Sequence, residues 1–201
     1  MQYLFYLFCY LLGSISFSYV LVKIFKNEDV RDKGSKNAGA TNVMRNYGRT
    51  IGIMAFILDY GKGFLAAFLS SHFNIGIPIL AVFFAALGHI FPVFLKFKGG
   101  KGVATTAGGF SAMSPPSILM GFLVFGAFAF GTGYASVGSM ALMAYLFFYV
   151  ALVALKLKGF ELLIAGLSVL MVIICHKDNI IRLINGKENS IHKGKKLWEF
   201  A

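Results

Sequence analysis

Long apolar runs alternate with short basic ones along this chain, on the length scale of a lipid bilayer. Residues 2–22, "QYLFYLFCYLLGSISFSYVLV", carry no charge. A run of about 20 such residues crosses the hydrocarbon core as one helix. No basic stretch precedes it, so it predicts a retained transmembrane helix and not a cleaved signal. Further apolar runs occupy 51–70 and 74–95, and the loops that bracket them, 23–49 and 96–102, are rich in Lys and Arg. Two crossings return the chain to the side it left, and the positive-inside rule puts both loops in the cytoplasm.

From Val103 to Cys175 the sequence stays apolar, with weak breaks at "SPP" (114–116), "GTG" (131–133) and "KLKG" (156–159). The tail beginning at His176 is basic, with Lys177, Arg182, Lys187, Lys193, Lys195 and Lys196, and belongs with the cytoplasmic loops. An even number of crossings must then fit between Val103 and Cys175. Two leave too much apolar sequence, and four require a short one. The stretch 103–113, "VATTAGGFSAM", is stopped by two prolines and reaches only about 16 Å as a helix, so other helices must shield it. The expected fold is an all-α polytopic membrane bundle of about seven transmembrane helices, one short. Its N-terminus lies outside and its C-terminus in the cytoplasm, and residues 1–201 form a single domain. Six long helices with a re-entrant piece is the rival arrangement.

Composition agrees: 58% of residues are hydrophobic, 13% are charged, and the mean hydropathy is +0.74. Soluble domains lie nearer 45–50% and about 25%. The net charge of +11 sits in short loops and the tail, where it suits anionic headgroups and phosphates. No nucleic-acid-binding motif accompanies it, and nucleic acid is not an expected partner. Cys9 and Cys175 sit in apolar runs without ligand spacing, so neither a disulfide framework nor a metal site is expected.

The polar stretches carry the candidate chemistry. "DVRDKGSKNAGATNVMRNYG" (29–48) combines Gly34 and Gly39 with Ser35, Asn37, Thr41 and Asn42 and with Arg31, Lys33, Lys36 and Arg45. Successive amides around glycine, leading into a helix near Thr41, would form an anion-binding nest; a solvated loop with a helix cap is the plainer reading. "GHIFPVFLKFKGGKGVATT" brackets Lys101 with Gly99, Gly100 and Gly102 ahead of the short helix. It is not a nucleotide P-loop, because Leu95 replaces the first glycine and Gly102 follows the lysine. In "CHKDNIIRLINGKENSIHKGKK", His176 and Asn179 lie where the last span meets water, with Glu188 beyond a turn at Gly186. Within a span, Asp59 and Lys62 stand three residues apart on one helical face and should pair as structural buried charges. No His-x-x-x-x-Asp arises at His72, His89 or His176, and no G-x-S-x-G elbow is present, so acyl transfer through a histidine–aspartate base is unsupported.

These segments, in this order between these spans, resemble the bacterial acyl-phosphate:glycerol-3-phosphate acyltransferases. The resemblance rests on GS-x-N-x-GATN-x-x-R at Gly34 to Arg45, LD-x-x-KG at Leu58 to Gly63 and GH-x-FP-x-F…GGKG-x-AT at Gly88 to Thr105. A His-x-x-Asn at His176 with a later Glu188–Asn189 completes it. Lys36 stands where a glycine is common in the motif. The resemblance implies an enzyme of the bacterial inner membrane, active at its cytoplasmic face and surrounded by membrane lipids. It would move a fatty acyl group from acyl phosphate to glycerol 3-phosphate, giving lysophosphatidic acid, without a cofactor or an obligatory protein partner. By position, Ser35, Arg45, His176, Asn179 and Glu188 are the expected catalytic residues. The expected phosphate-binding set is Gly34, Asn37, Gly39, Ala40, Thr41, Asn42, Gly99, Gly100, Lys101 and Gly102. An acyl phosphate is an activated mixed anhydride, so direct attack by the glycerol hydroxyl is expected, with Ser35 as a covalent nucleophile the rival. From another class, a transporter of phosphate or another small anion would share a basic mouth but would usually show inverted repeats, which are absent here.

Overall fold

The structure is a computed structural model describing residues 1–191. The tail lysines Lys193, Lys195 and Lys196, counted above toward a cytoplasmic C-terminus, lie outside the described residues. Among the described residues every regular element is helical. Helices α1 (Gln2–Ser14) and α2 (Phe17–Lys26) make one apolar stretch of 25 residues, interrupted at Ile15 and Ser16. Ser16 caps α2 by accepting the Tyr19 amide at 3.4 Å. A short helix α3 (Ala40–Tyr47) lies within the first polar loop and leads into the long α4 (Arg49–Phe73). Then come α5 (Pro78–Ile90), the short α6 (Val103–Met113), α7 (Ser117–Thr132) and α8 (Ala135–Tyr145). The chain of α8 continues π-helically from Leu146 to Ala154, and α9 (Gly159–Ile174) and α10 (Lys177–Ile184) follow.

Four helical stretches are long and apolar enough to cross a membrane: Gln2–Lys26, Arg49–Phe73, Pro78–Leu95 and Ala135–Ala154. A fifth arises if α9 and α10, bent by 50°, count as one span, and α7 is apolar but shorter. The breaks expected at 114–116 and near 156–159 separate α6 from α7 and α8 from α9. The third apolar run starts later than expected, because Asn74 adopts a left-handed φ of 52° and α5 is launched by Pro78 in its first turn. The short α6 is shielded as its length requires: Thr105 through Ser111 are all buried.

Small residues let backbones meet where two apolar surfaces gain nothing from leaving lipid. A Cβ on Gly108 would lie 2.0 Å from the Tyr60 carbonyl oxygen, so α6 rests directly on α4. The same holds between α1 and α5, where a Cβ on Gly13 would meet the Ala85 carbonyl at 2.1 Å.

The expected buried ion pair is present and does more than pair. Lys62 Nζ lies 2.9 Å from Asp59 Oδ1, with both side chains 1% exposed. The same ammonium donates to the Gly13 carbonyl at 2.8 Å and the Ile15 carbonyl at 2.7 Å. Those carbonyls lose helical partners at the α1–α2 break, so Lys62 caps α1 from another helix. Ser18 Oγ donates to Asp59 Oδ2 at 3.4 Å, Thr105 Oγ1 donates to the Asp59 carbonyl at 2.9 Å, and His89 Nδ1 lies 3.5 Å from Asp59 Oδ1. One acid and one base thus join α1, α2, α4, α5 and α6. Removing one partner of such a pair costs on the order of 3–5 kcal/mol, because the other charge stays buried. Lys62→Met should therefore lower the unfolding midpoint in detergent sharply, and Asp59→Asn added to it should recover only the part due to the unpaired carboxylate, because the Gly13 and Ile15 carbonyls stay uncapped.

Candidate active site

The first polar loop is organised by one side chain. Asn42, 3% exposed, directs its Nδ2 at the carbonyls of Val30, Lys33 and Asn37, at 3.0, 3.1 and 3.1 Å. Its Oδ1 accepts the Ser35 amide at 3.0 Å and Asn46 Nδ2 at 2.9 Å. Expected among the phosphate-binding residues, Asn42 instead points inward, and its amide is spent on the loop's own backbone. It is a scaffold for the residues around it. Arg31 is likewise structural, with a two-pronged pairing to Asp29 (2.6 Å at the shorter) and Nη1 donating to the Leu95 carbonyl at 3.2 Å.

Around that scaffold the loop presents small and charged groups. Ser35 is half-buried, and its hydroxyl makes no hydrogen bond among the described residues. Gly39 ends the extended segment as the residue before α3, so Ala40 and Thr41 supply first-turn amides. Lys36 takes φ 57°, the left-handed region. A lysine here therefore reaches the backbone conformation that the glycine common in the motif adopts without strain.

The second segment docks on the first. The Ala38 amide donates to the Gly99 carbonyl at 3.4 Å, and the amides of Gly99 and Gly100 donate to the carbonyls of Ile90 and His89 at 3.2 and 3.0 Å. Gly102, at φ 84°, is the residue from which α6 starts. Lys101 therefore projects from a loop fixed on both flanks, and its ammonium donates to Asn179 Oδ1.

The third segment closes the face. Asn179 Nδ2 donates to Glu188 Oε1 at 2.6 Å, Ser136 Oγ donates to the same oxygen at 3.0 Å, and Arg182 Nε pairs with Glu188 Oε2 at 2.8 Å. Glu188 is nearly buried, with its side chain 4% exposed. Arg45 Nη2 donates to the Asn189 carbonyl at 3.4 Å, tying the first segment to the third. His176, 2% exposed, has Nδ1 2.8 Å from the Val172 carbonyl; a carbonyl only accepts, so the neutral ring carries its proton on Nδ1 and offers Nε2 as acceptor.

Burial and the neighbouring Lys101 cation push the His176 imidazolium down to about 4, so the ring is neutral at pH 7. Burial likewise lowers Lys101 to about 8, against which the Glu188 carboxylate works to keep it charged. Of the expected residues, Arg45, Lys101, His176, Asn179 and Glu188 thus gather around one polar surface, with the Ser35 loop docked beside it through Ala38 and Gly99. Ser136 and Arg182 were not anticipated. Arg182 follows Asn179 by three residues on α10 and could have been read from that spacing, whereas Ser136 is a lone hydroxyl in an apolar run.

An all-helical bundle of apolar spans with one basic, amide- and glycine-rich face defines an integral membrane protein. The glycerol-3-phosphate acyltransferase family model matches residues 3–186, and the chain belongs to that family. A glycerol-3-phosphate acyltransferase of Thermosipho melanesiensis is 43% identical over 189 residues, covering 94% of this chain and 92% of that one. Glycerol-3-phosphate acyltransferase 2 of Bacillus anthracis is also 43% identical, covering 90% and 95%. The crystal structure of PlsY, an integral membrane glycerol 3-phosphate acyltransferase, in its glycerol 3-phosphate form superposes with a TM-score of 0.86 at 36% identity, covering 94% of this chain and 95% of that one. Its lysophosphatidic acid form gives 0.81 at 35%, covering 94% of each.

Lys101 offers a check on the electrostatics that needs no turnover. Labelling by an amine-reactive reagent, followed by peptide mass analysis, should rise through a midpoint near pH 8. Glu188→Gln should move that midpoint down, since the carboxylate is what raises it.

Proposed function

We propose that this protein transfers a fatty acyl group from acyl phosphate to glycerol 3-phosphate, releasing lysophosphatidic acid and phosphate, at the cytoplasmic face of the bacterial cell membrane. The observation that carries the reading is the meeting of three segments, remote in sequence, on one face: Ala38 with Gly99, Arg45 with Asn189, and Lys101 with Asn179, which in turn binds Glu188. Relatives named for glycerol 3-phosphate transfer, and a similar structure in glycerol 3-phosphate and lysophosphatidic acid forms, supply the substrate and product.

In the reaction a glycerol hydroxyl oxygen attacks the acyl carbonyl carbon. The carbon–oxygen bond to phosphate breaks, an ester forms, and the hydroxyl proton ends on the released phosphate. Both substrates bring phosphate to this face, where Arg45, Lys101 and the first-turn amides of Ala40 and Thr41 offset its charge, the Gly99 and Gly100 amides being spent on the Ile90 and His89 carbonyls. The free Ser35 hydroxyl is a donor for the carbonyl oxygen as charge builds there. Neutral His176 holds the attacking hydroxyl through Nε2, but with a value of about 4 it is a poor resting place for the proton. No base contacts Ser35 among the described residues, which favours direct attack over an acyl-enzyme. Asn179 and Glu188 position Lys101.

The bundle is read as seven traverses with the N-terminus outside. Tyr6 Oη accepts the Ile77 amide at 2.7 Å, which brings the start of α1 to the α4–α5 turn. The Ile191 amide donates to the Gly133 carbonyl at 2.8 Å, which brings the α7–α8 turn to the basic tail.

The test is phosphate release and lipid product by the purified protein in detergent. Both substrates should be needed, and Ser35→Ala and Arg45→Ala should each lose about 10²–10³-fold in rate, the scale of removing one donor from developing charge. Equal use of acyl-CoA would overturn the donor assignment. No product, with labelled phosphate crossing vesicles that contain the protein, would make it a transporter. Because kcat/KM reports the free enzyme, its value for glycerol 3-phosphate should fall as pH rises through about 8, where Lys101 loses its charge. Lys101→Arg should flatten that limb, since a guanidinium stays protonated.

A further inference from the structure

Two of the motifs in the chain, LDYGKG and GH, contribute no group to the polar face described above. His89 is the residue through which they reach it. Its side chain is 4% exposed at the end of α5, with Nδ1 3.5 Å from Asp59 Oδ1 inside the buried charge cluster. The opposite edge of the ring lies against the glycine loop: a Cβ on Gly100 would fall 2.0 Å from His89 Nε2, 2.9 Å from its Cδ2 and 3.0 Å from the Ala38 carbonyl oxygen. The Gly100 backbone is therefore pinched between the imidazole and the first polar loop. The same histidine's carbonyl accepts the Gly100 amide at 3.0 Å.

The geometry assigns His89 as a positioning residue: its imidazole, buried with Nδ1 3.5 Å from Asp59 Oδ1, is the floor that sets the height of the Gly99–Gly102 loop and so the place of Lys101. It touches no substrate. The inference rests on the proposed function, because what Lys101 holds is the phosphate of glycerol 3-phosphate.

A floor and a mere filler differ in what they do to KM and kcat. With the ring shortened, Lys101 loses its register while the Ser35 loop keeps its own internal bonds. His89→Ala should therefore raise KM for glycerol 3-phosphate by about tenfold to a hundredfold, the scale of misplacing a holding group by about 1 Å, and change kcat much less. His89→Gln, which keeps a polar group of similar reach, should recover part of the loss. Gly100→Ala should also raise KM, because its methyl meets the ring. In His89→Ala with Gly100→Ala the methyl has room, so the double variant should bind better than the product of the single effects allows.

The experiment is a steady-state KM and kcat cycle on the purified protein and these four variants, with melting temperature measured on each to separate folded fraction from affinity. Multiplicative KM effects in the double variant would overturn the assignment. So would a His89→Ala protein that loses only kcat or only folded fraction at unchanged KM. Should His89→Ala fail to fold, His89→Gln against Gly100→Ala provides the same cycle. A wild-type protein indifferent to glycerol 3-phosphate would sink the functional reading and this inference together, whereas multiplicative effects in a responsive wild type sink the inference alone.

Discussion

One ammonium group settles how this bundle can be assembled. Lys62 sits where water is absent, so its three donors need acceptors from the protein. It finds them in Asp59 and in the Gly13 and Ile15 carbonyls. The carbonyls are available only because the first apolar stretch breaks at Ile15 and Ser16, and the break is tolerable only because Lys62 fills it. Since Asp59 also meets Ser18, Thr105 and His89, the same cluster places the short α6 and the end of α5, from which the Gly99–Gly102 loop departs.

The polar face inherits that placement. Its three segments are held in different ways. The Ser35 loop is held by its own Asn42, the Lys101 loop by backbone bonds to His89 and Ile90, and the tail by Glu188 through Ser136, Asn179 and Arg182. On the proposed function, the groups that meet phosphate are thereby fixed before it arrives, and the attractive centres Arg45 and Lys101 do not collapse onto the nearest carboxylate. Lys101 is turned to an amide oxygen, with the Glu188 charge one residue removed.

Much of this was legible from the chain. The apolar runs, the short α6 and the breaks at 114–116 and 156–159 follow from length and from proline and glycine, and the Asp59–Lys62 pairing follows from helical spacing. What stayed hidden has a common cause. The break between α1 and α2 carries no charge or proline, so it is invisible inside an uninterrupted apolar run. Ser136 is one hydroxyl among many, and it matters only because a residue some fifty positions later folds back to it. Asn42 looks like a ligand donor in a polar string, and only the fold reveals that five of its neighbours use up its amide. Periodicity reports which face is apolar; it is silent on which carbonyl lacks a partner.

Asn42 has one more consequence, for the calorimetry of binding. All its bonds lie within Val30–Asn46, so the loop carries its own rigidity and has little disorder to lose when an anion enters. A preformed polar cradle exchanges water for ligand without burying much new apolar surface. Its association should show a small heat-capacity change, unlike the large negative value of a segment that folds around its ligand.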